Sequence, residues 1–388
     1  MSGFTLVEVL ASVIIGGLIV ASVLGIMNDV IRDSKEEEVR IETQKDMTKA
    51  LGFIEDELKS AAYIYTGEEL YEDRSQNIGP LVDYLDLPND DDYIVVLAFW
   101  KPQVIPYTPA GAQVPLECNT GNQFNDDLDN SLVLGSNPSD EDLIERCEEL
   151  QVERRTYTLV VYVQDTTPTN TWSGETVIRR FEMRKFENDS FQDGQQNYLK
   201  LKRKKNRPPN DDKNIYIDPV KEADGFRKWP FDINGNNLQA NQANFAPPKI
   251  NGNSSPVLVD FVDNETSDPG NLPTCLNEDS NSNNRLDTGE DLTSNGGNGN
   301  GVLDVYSLTP LVPDSDPPER QSNSFFACVR ESALIGDIVE GNQDVQIYLR
   351  GNPQGRSGFE INPNSYKPLP TVQTQVVLRG VVDKFFND

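Results

Sequence analysis

From Phe4 to Met27 every residue is apolar or small, except Glu8 and the hydroxyl-bearing Thr5, Ser12 and Ser22. Coiled as a helix at ~1.5 Å per residue, the run is ~36 Å long, enough to cross a hydrocarbon core of ~30 Å. Glu8 is the anomaly. A lone carboxylate placed deep in such a span costs about 2.5–3.5 kcal/mol, and ionisable residues in such places are usually functional and have a partner.

Beyond Met27 the pattern changes. Asn28 to Asp46 is strongly charged, with Lys35-Glu36-Glu37-Glu38 followed by Arg40, Glu42, Lys45 and Asp46. Met47, Leu51, Ile54, Leu58 and Ala62 then recur at the spacing of one helix face. The spacing predicts one continuous helix to about Ala62, whose last turns lay an apolar stripe on a domain core.

The stretch Gly3-Phe4-Thr5-Leu6-Val7-Glu8 resembles the start of type IV pilins and type II secretion pseudopilins. The resemblance implies cleavage by a prepilin peptidase after Gly3 and methylation of the new N-terminal Phe4. It also implies that the Glu8 carboxylate meets the Phe4 ammonium of a neighbouring subunit during assembly, which replaces a lone charge in hydrocarbon by a compensated pair. A secretory signal peptide fits poorly, because the apolar run is long and has no basic segment before it. A plain anchor has no use for Glu8. The expected leader, Met1-Ser2-Gly3, lacks the Lys or Arg usual before the glycine. Orientation therefore follows from the resemblance: N-terminus cytoplasmic, a single pass through the inner membrane, the rest outside. The expected division is residues 1–3 leader, 4–27 membrane half of the helix, 28–62 soluble half, and 63–388 the extracytoplasmic head.

The composition narrows the partners. With a formal charge of −29 over 388 residues, nucleic acid is not expected, since like charges would meet. The chain has no histidine. That removes Ser/His/Asp and Cys/His catalysis, imidazole metal ligands and the usual neutral-pH base. Among 63 acidic residues, any carboxylate pair is uninformative, so no enzyme is expected. Cys118, Cys147, Cys275 and Cys328 suit an oxidising compartment. Nearness in sequence suggests the pairs Cys118–Cys147 and Cys275–Cys328, with the other pairings open. None lies in the close Cys-x-x-Cys spacing of a zinc site.

Along the head, Tyr63 to Asp92 reads as an acidic, Gly/Pro-marked connection with room for short helical turns. Strands are expected at Tyr93–Trp100, Arg155–Asp165, Glu175–Phe186, Val257–Val262, Val302–Ser307, Phe325–Glu331, Val345–Arg350 and Val372–Val382. Thr166 to Gly174 suggests a hairpin connection. Residues 187–255 and about 264–301 read as insertions, the first too poor in apolar residues to form a core. Without βα alternation a parallel sheet is not expected. The fold class is α+β: a long helix packed on antiparallel strands, in agreement with the pilin-like head that the resemblance implies. Size and insertions point to a minor subunit, and the acidic, Asn-rich style is similar to pseudopilins linked to polysaccharide secretion in filamentous cyanobacteria.

Two stretches carry candidate binding residues. In Asp279 to Glu290, oxygens recur at Asp279, Asn281, Asn283, Asp287 and Glu290, with the Arg285 carbonyl at the seventh position. This is the EF-hand ligand spacing and predicts a structural Ca2+. A second, weaker copy contains Asn298, Asn300 and Asp304. The bland reading of both is an Asn/Gly-rich linker. The basic run Lys200, Lys202, Arg203, Lys204, Lys205 and Arg207 fits an anionic partner such as an acidic polysaccharide, or else a solvated loop. Tyr93, Trp100, Trp172 and Trp229 read as core or sheet residues. The expected partners are other pilins or pseudopilins, inner-membrane assembly proteins, the prepilin peptidase and the membrane. The alternative is an anchored, calcium-stabilised module that binds an anionic polymer.

Overall fold

The computed structural model describes residues 5–72, 80–85, 92–104, 155–167, 171–184, 186–188, 199–201, 220–221, 225–226, 256–264, 272–279, 293–295, 297, 299, 303–312, 320–330, 334–335, 338–339, 343–358 and 369–378. Its first element, α1, is a helix of 53 residues from Leu6 to Leu58, ~80 Å long at 1.5 Å per residue. A capping box starts it. The Thr5 hydroxyl accepts from the Glu8 N–H, while the Glu8 carboxylate accepts from the Thr5 N–H at 2.9 Å.

Residues 6–35 are exposed on every side. From Glu36 a buried stripe begins, running through Val39, Thr43, Met47, Ala50, Leu51, Ile54, Glu57 and Leu58. The helix ends before the expected Ala62. The Ser60 hydroxyl donates to the Glu57 carbonyl at 2.7 Å, and the Ala62 N–H donates to Trp100 O, also at 2.7 Å, which draws the chain into a sheet.

That sheet has five strands in sequential order, all antiparallel: β1 Tyr63–Ile64, β2 Tyr93–Val104, β3 Arg155–Asp165, β4 Thr176–Arg184 and β5 Val257–Val262. A second antiparallel sheet holds β6 Tyr306–Thr309, β7 Phe325–Arg330, β8 Asp344–Arg350 and β9 Thr371–Val377. The α+β expectation of one helix against antiparallel strands thus holds. Three short hairpins stand apart, at Phe186–Asn188 with Leu199–Leu201, Val220–Lys221 with Gly225–Phe226, and Leu334–Ile335 with Ile338–Val339.

The core explains the strand sequences. Met47, Leu51, Ile54 and Leu58 of α1 pack against Leu97, Phe99, Val160, Tyr162 and Ile178 of the first sheet and Phe325, Ala327, Ile347 and Val376 of the second. The other face of the first sheet carries Ala98, Trp100, Leu159, Val161 and Val163, covered by Tyr65, Leu70, Tyr71 and Leu81. Both faces are dry, which is why β2 reads as an unbroken apolar run. A bulge between Val95 and Leu97 turns both Val96 and Leu97 toward α1. Trp100 is a core residue whose indole N–H donates to the Tyr65 hydroxyl at 2.7 Å, whereas Trp172 sits in the β3–β4 connection and is 37% exposed.

Two of the expected connecting stretches are tied into the fold. Tyr63–Asp92 contributes a short capped helix, α2, Gly67–Tyr71, which docks on β6, and also the strand β1. An added Cβ at Gly67 would lie 1.7 Å from Leu308 O, so no other residue fits that approach. The expected insertion at 264–301 is also fastened into the fold. Cys275 is disulfide-bonded to Cys328 of β7, and Asn277 bridges Val305. The segment 272–279 therefore lies over β7, whose Phe325 to Val329 are all buried. The first strand residue is Tyr306 rather than Val302 for the same reason, because pairing with 276–278 comes before it.

Candidate membrane and assembly surface

From Val9 to Met27 the exposed half of α1 is apolar all round but for two serines. Leu6, Val13, Leu18 and Ile26 are 86%, 67%, 64% and 65% exposed, and the helix is long and apolar enough to cross a membrane. The two serine hydroxyls are satisfied within the helix. The Ser12 and Ser22 hydroxyls donate to the Glu8 and Leu18 carbonyls at 2.7 and 2.8 Å, which pairs both hydroxyls without a partner outside the helix. Gly16, Gly17 and Gly25 have no neighbouring atom within 4 Å of an added Cβ, so they form open notches where another helix can approach closely.

Glu8 sits in the first turn. Its Oε2 accepts from the Thr5 N–H at 2.9 Å and the Thr5 hydroxyl at 3.0 Å, and Oε1 has no partner among the described residues. The carboxylate that looked anomalous in sequence thus has a local task as the second member of a capping box. The Thr5-x-x-Glu8 spacing carried that signal. Gly3 and Phe4 lie outside the described residues.

Two polar anchors fix the other half of α1 to the head. The first is Glu57, which is buried. Arg180 binds it in a bidentate pair at 2.6 and 2.7 Å, the Tyr162 hydroxyl donates at 2.5 Å, and Lys101 completes the set. The strands β2, β3 and β4 each supply one of these partners, and Tyr162 and Arg180 are cross-strand neighbours. Burial alone would raise the Glu57 carboxyl. The hydrogen bonds from Arg180, Lys101 and Tyr162 outweigh it and hold the group at about 2. Burial and the adjoining Glu57 carboxylate push the Tyr162 hydroxyl up.

The second anchor is Arg356. It reaches Glu42 at 3.3 Å, Thr43 Oγ1 at 3.3 Å and Asp46 at 2.5 Å, with its guanidinium 5.1 Å from the Phe261 ring centre. The turn that presents it contains Gly355, Ser357 and Gly358 at φ of 78°, 55° and 70°, left-handed conformations that glycine adopts freely and serine seldom does. Beside it, Gly351 bridges Val262. An added Cβ there would come within 2.7 Å of Thr43 Cγ2, so the helix rests on bare backbone. Partial burial would raise Asp46, but its hydrogen bond and charge pairing with Arg356 lower it.

Neither anchor was visible in the apolar periodicity. Glu57 lies beside Leu58 on the buried stripe, and a carboxylate in such a place is the signal that a cation waits across the interface.

The remaining candidates are only partly placed. Asp279 and Asp304 are buried. The Glu278 N–H donates to Asp304 O at 3.0 Å, and the Asp304 N–H donates to Glu278 Oε2 at 2.9 Å, so the ends of the EF-hand-like stretch are brought together. The Asp304 carboxylate pairs with Arg330 of β7, which gives it a cation other than a metal. Asn281, Asn283, Arg285, Asp287, Glu290, Asn298 and Asn300 lie outside the described residues. Among the described residues no three Asp, Glu or Cys side chains converge as a metal site. Lys200 lies in the short strand paired with Phe186–Asn188. Lys202, Arg203, Lys204, Lys205 and Arg207 lie outside the described residues, as do Cys118, Cys147 and Trp229. Comparison with protein-family models, curated proteins and solved structures finds no match to this chain.

Proposed function

We propose that the chain is a pilin-like subunit of a type IV pilus or type II secretion-like filament. In this reading α1 is drawn from the membrane into a filament that assists assembly or secretion. The observation that carries it is the combination at the N-terminus. A Gly3-Phe4-Thr5-Leu6-Val7-Glu8 stretch opens a helix that is apolar and uncovered over a bilayer's length, and the same helix continues without a break into a folded head. A removable signal sequence has no need of that continuity. Leu6–Met27 then lies in the inner membrane with the head outside, and the disulfide at Cys275–Cys328 suits that compartment. The work is insertion, extraction and packing, with no catalytic step.

Processing provides the test. Intact-mass measurement of the chain extracted from membranes of an expressing cell should give a mature protein beginning at Phe4. A bulky residue at Gly3 should leave the leader attached. Wild-type protein that retains Met1 in the presence of an active prepilin peptidase would overturn the reading.

A further inference from the structure

The two sheets have four outer strands, and the chain treats one of them unlike the others. A side chain closes β1: the Ile64 N–H donates to Gln343 Oε1 at 3.0 Å, and Gln343 Nε2 donates to the Ile64 carbonyl at 2.9 Å. The end of β5 is joined to β8, where Val262 bridges Gly351. β6 is covered by the segment before it and by α2. There the Tyr306 N–H donates to Leu276 O at 2.8 Å, and the Gly67 N–H donates to Ser307 Oγ at 3.0 Å. β9 has β8 on one side and no described strand on the other.

Parity shows which backbone groups of β9 are open. Pro370 O accepts from the Gly351 N–H at 2.9 Å, and the Leu378 N–H donates to Gln343 O at 3.1 Å. These bonds stand at the two ends of an unbroken register. Successive residues of an antiparallel strand turn their N–H and C=O to opposite sides. Val372, Thr374 and Val376 therefore bond to β8. The N–H and C=O of Thr371, Gln373, Gln375 and Val377 point outward, with no partner among the described residues. All four side chains are exposed.

Natural edge strands are usually blunted by charge, proline or a bulge. β9 has none of these. In a chain that is 25% charged, no charge falls from Pro368 to Leu378. The pairing with β8 has no bulge, and the β-branched Thr and Val of Thr371–Val377 favour a strand.

We propose that the β9 edge docks an extended segment of another polypeptide, which joins the second sheet as a further antiparallel strand. Such strand addition takes its affinity from main-chain hydrogen bonds and its specificity from alternate side chains. The four outward residues supply the first. The second favours a proline-free segment that is uncharged or basic, because a formal charge of −29 repels an acidic one. A second copy of β9 does not suit the edge. Antiparallel edge pairing relates two copies by a twofold axis normal to the sheet, which reverses the α1 packed on its face. Two chains in one bilayer with their heads on the same side cannot run in opposite directions. That exclusion rests on the reading of Leu6–Met27 as a span, whereas the open edge does not.

A fluorescent peptide that repeats Thr371–Val377 between lysines tests the edge. Free of α1, it can pair antiparallel with β9, setting Thr opposite Val and Gln opposite Gln. Anisotropy should show it binding the full chain in detergent micelles. Amide exchange at Gln373, Gln375 and Val377 should then slow on the order of tenfold, while Val372, Thr374 and Val376, already bonded to β8, stay as they were. Gln373→Pro removes an outward N–H and no bond to β8. It should leave the melting temperature unchanged and weaken peptide binding on the order of tenfold. No binding to folded chain at about 1 mM peptide, or equal binding by Gln373→Pro, would overturn the proposal. So would outward amides that exchange slowly before peptide is added. Slow exchange at every chain concentration would put the edge under the chain's own residues, and slowing that grows with concentration would give it to a second copy. A chain that retains Met1 would overturn the filament reading and leave the β9 edge standing.

Discussion

The two halves of α1 share one backbone geometry and meet opposite surroundings, and they handle polar groups in opposite ways. Between Leu6 and Met27, the apolar part of the exposed half, each polar side chain turns back on its own helix: Ser12 to the Glu8 carbonyl, Ser22 to the Leu18 carbonyl, Glu8 to the Thr5 cap. In the buried half two carboxylates reach outward to fixed partners, Glu57 to three strands and Asp46 to Arg356. A surface whose neighbour can be lipid or another helix has to be self-sufficient in hydrogen bonds. A surface with one permanent neighbour can commit its charges to it, and the commitment then fixes where the neighbour sits. The division falls near Lys35, where exposure on all sides gives way to the stripe that begins at Glu36.

Matched truncations should expose that division most strongly. Ile54 is fully buried and Ile14 is 56% exposed. Ile54→Ala should cost the head about 2–5 kcal/mol, through lost burial and an unfilled cavity. Ile14→Ala should leave the head's stability within about 0.5 kcal/mol. Denaturant unfolding of the full chain in detergent micelles, followed by the fluorescence of buried Trp100, would check both. Similar losses for the two would mean that the upstream half packs on the head, and the comparison would fail.

Glu57 sharpens the same contrast through pH. Its carboxyl drops from the ordinary 4.5 to about 2 in the folded head. The folded state therefore gains from the ionised form. The gain is complete above about 4.5 and is lost as pH falls from there toward 2, because the unfolded chain takes up the proton first. Glu57→Gln should remove on the order of 1–3 kcal/mol at neutral pH, since among the described residues Arg180 and Lys101 are left with Glu182 as their carboxylate. It should also flatten the acid limb of the stability profile. An unchanged limb would assign the acid response to other carboxylates.

Much of this architecture was legible from residue patterns. The stripe of Met47, Leu51, Ile54 and Leu58 is the packed face of α1, and the strands at Arg155–Asp165 and Val257–Val262 run between the limits expected from their β-branched content. Strand limits were missed where a neighbour decided them. β1 is two residues long and exists because β2 lies beside it, and no local sequence signal marks so short a strand. The anchors were hidden because hydrophobic periodicity counts Glu57 and Thr43 as interruptions, although both are buried. Arg356 was hidden because a turn far along the chain brings it back to α1, a contact across more than three hundred positions. Of the EF-hand-like ligands only the two ends, Asp279 and Asp304, have a described setting. There the fold supplies an arginine for Asp304, which sequence spacing could not show.

The smallest expected effect locates the boundary itself. Arg356 holds the stretch of α1 between the last exposed turn and the hydrophobic stripe proper, through Glu42, Thr43, Asp46 and the face of Phe261. Exposed ion pairs of this kind contribute about 0–1 kcal/mol and a guanidinium over a ring about 0.5–1 kcal/mol. Arg356→Ala should therefore lower global stability by only about 1 kcal/mol. Its local effect should be larger than that figure suggests, because between Glu36 and Met47 the buried apolar side chains of α1 come down to Val39 alone. Amide hydrogen exchange should quicken at residues 39–46 and stay unchanged at 50–58, where Ile54 and Leu58 are fully buried. Arg356→Lys should recover little, since a single ammonium cannot span three acceptors and stack on the ring as well. Exchange at 39–46 that matches the wild type would place the boundary at Glu36 on the strength of the Gly351 contact alone, and the strap would then be incidental to where the free half of the helix begins.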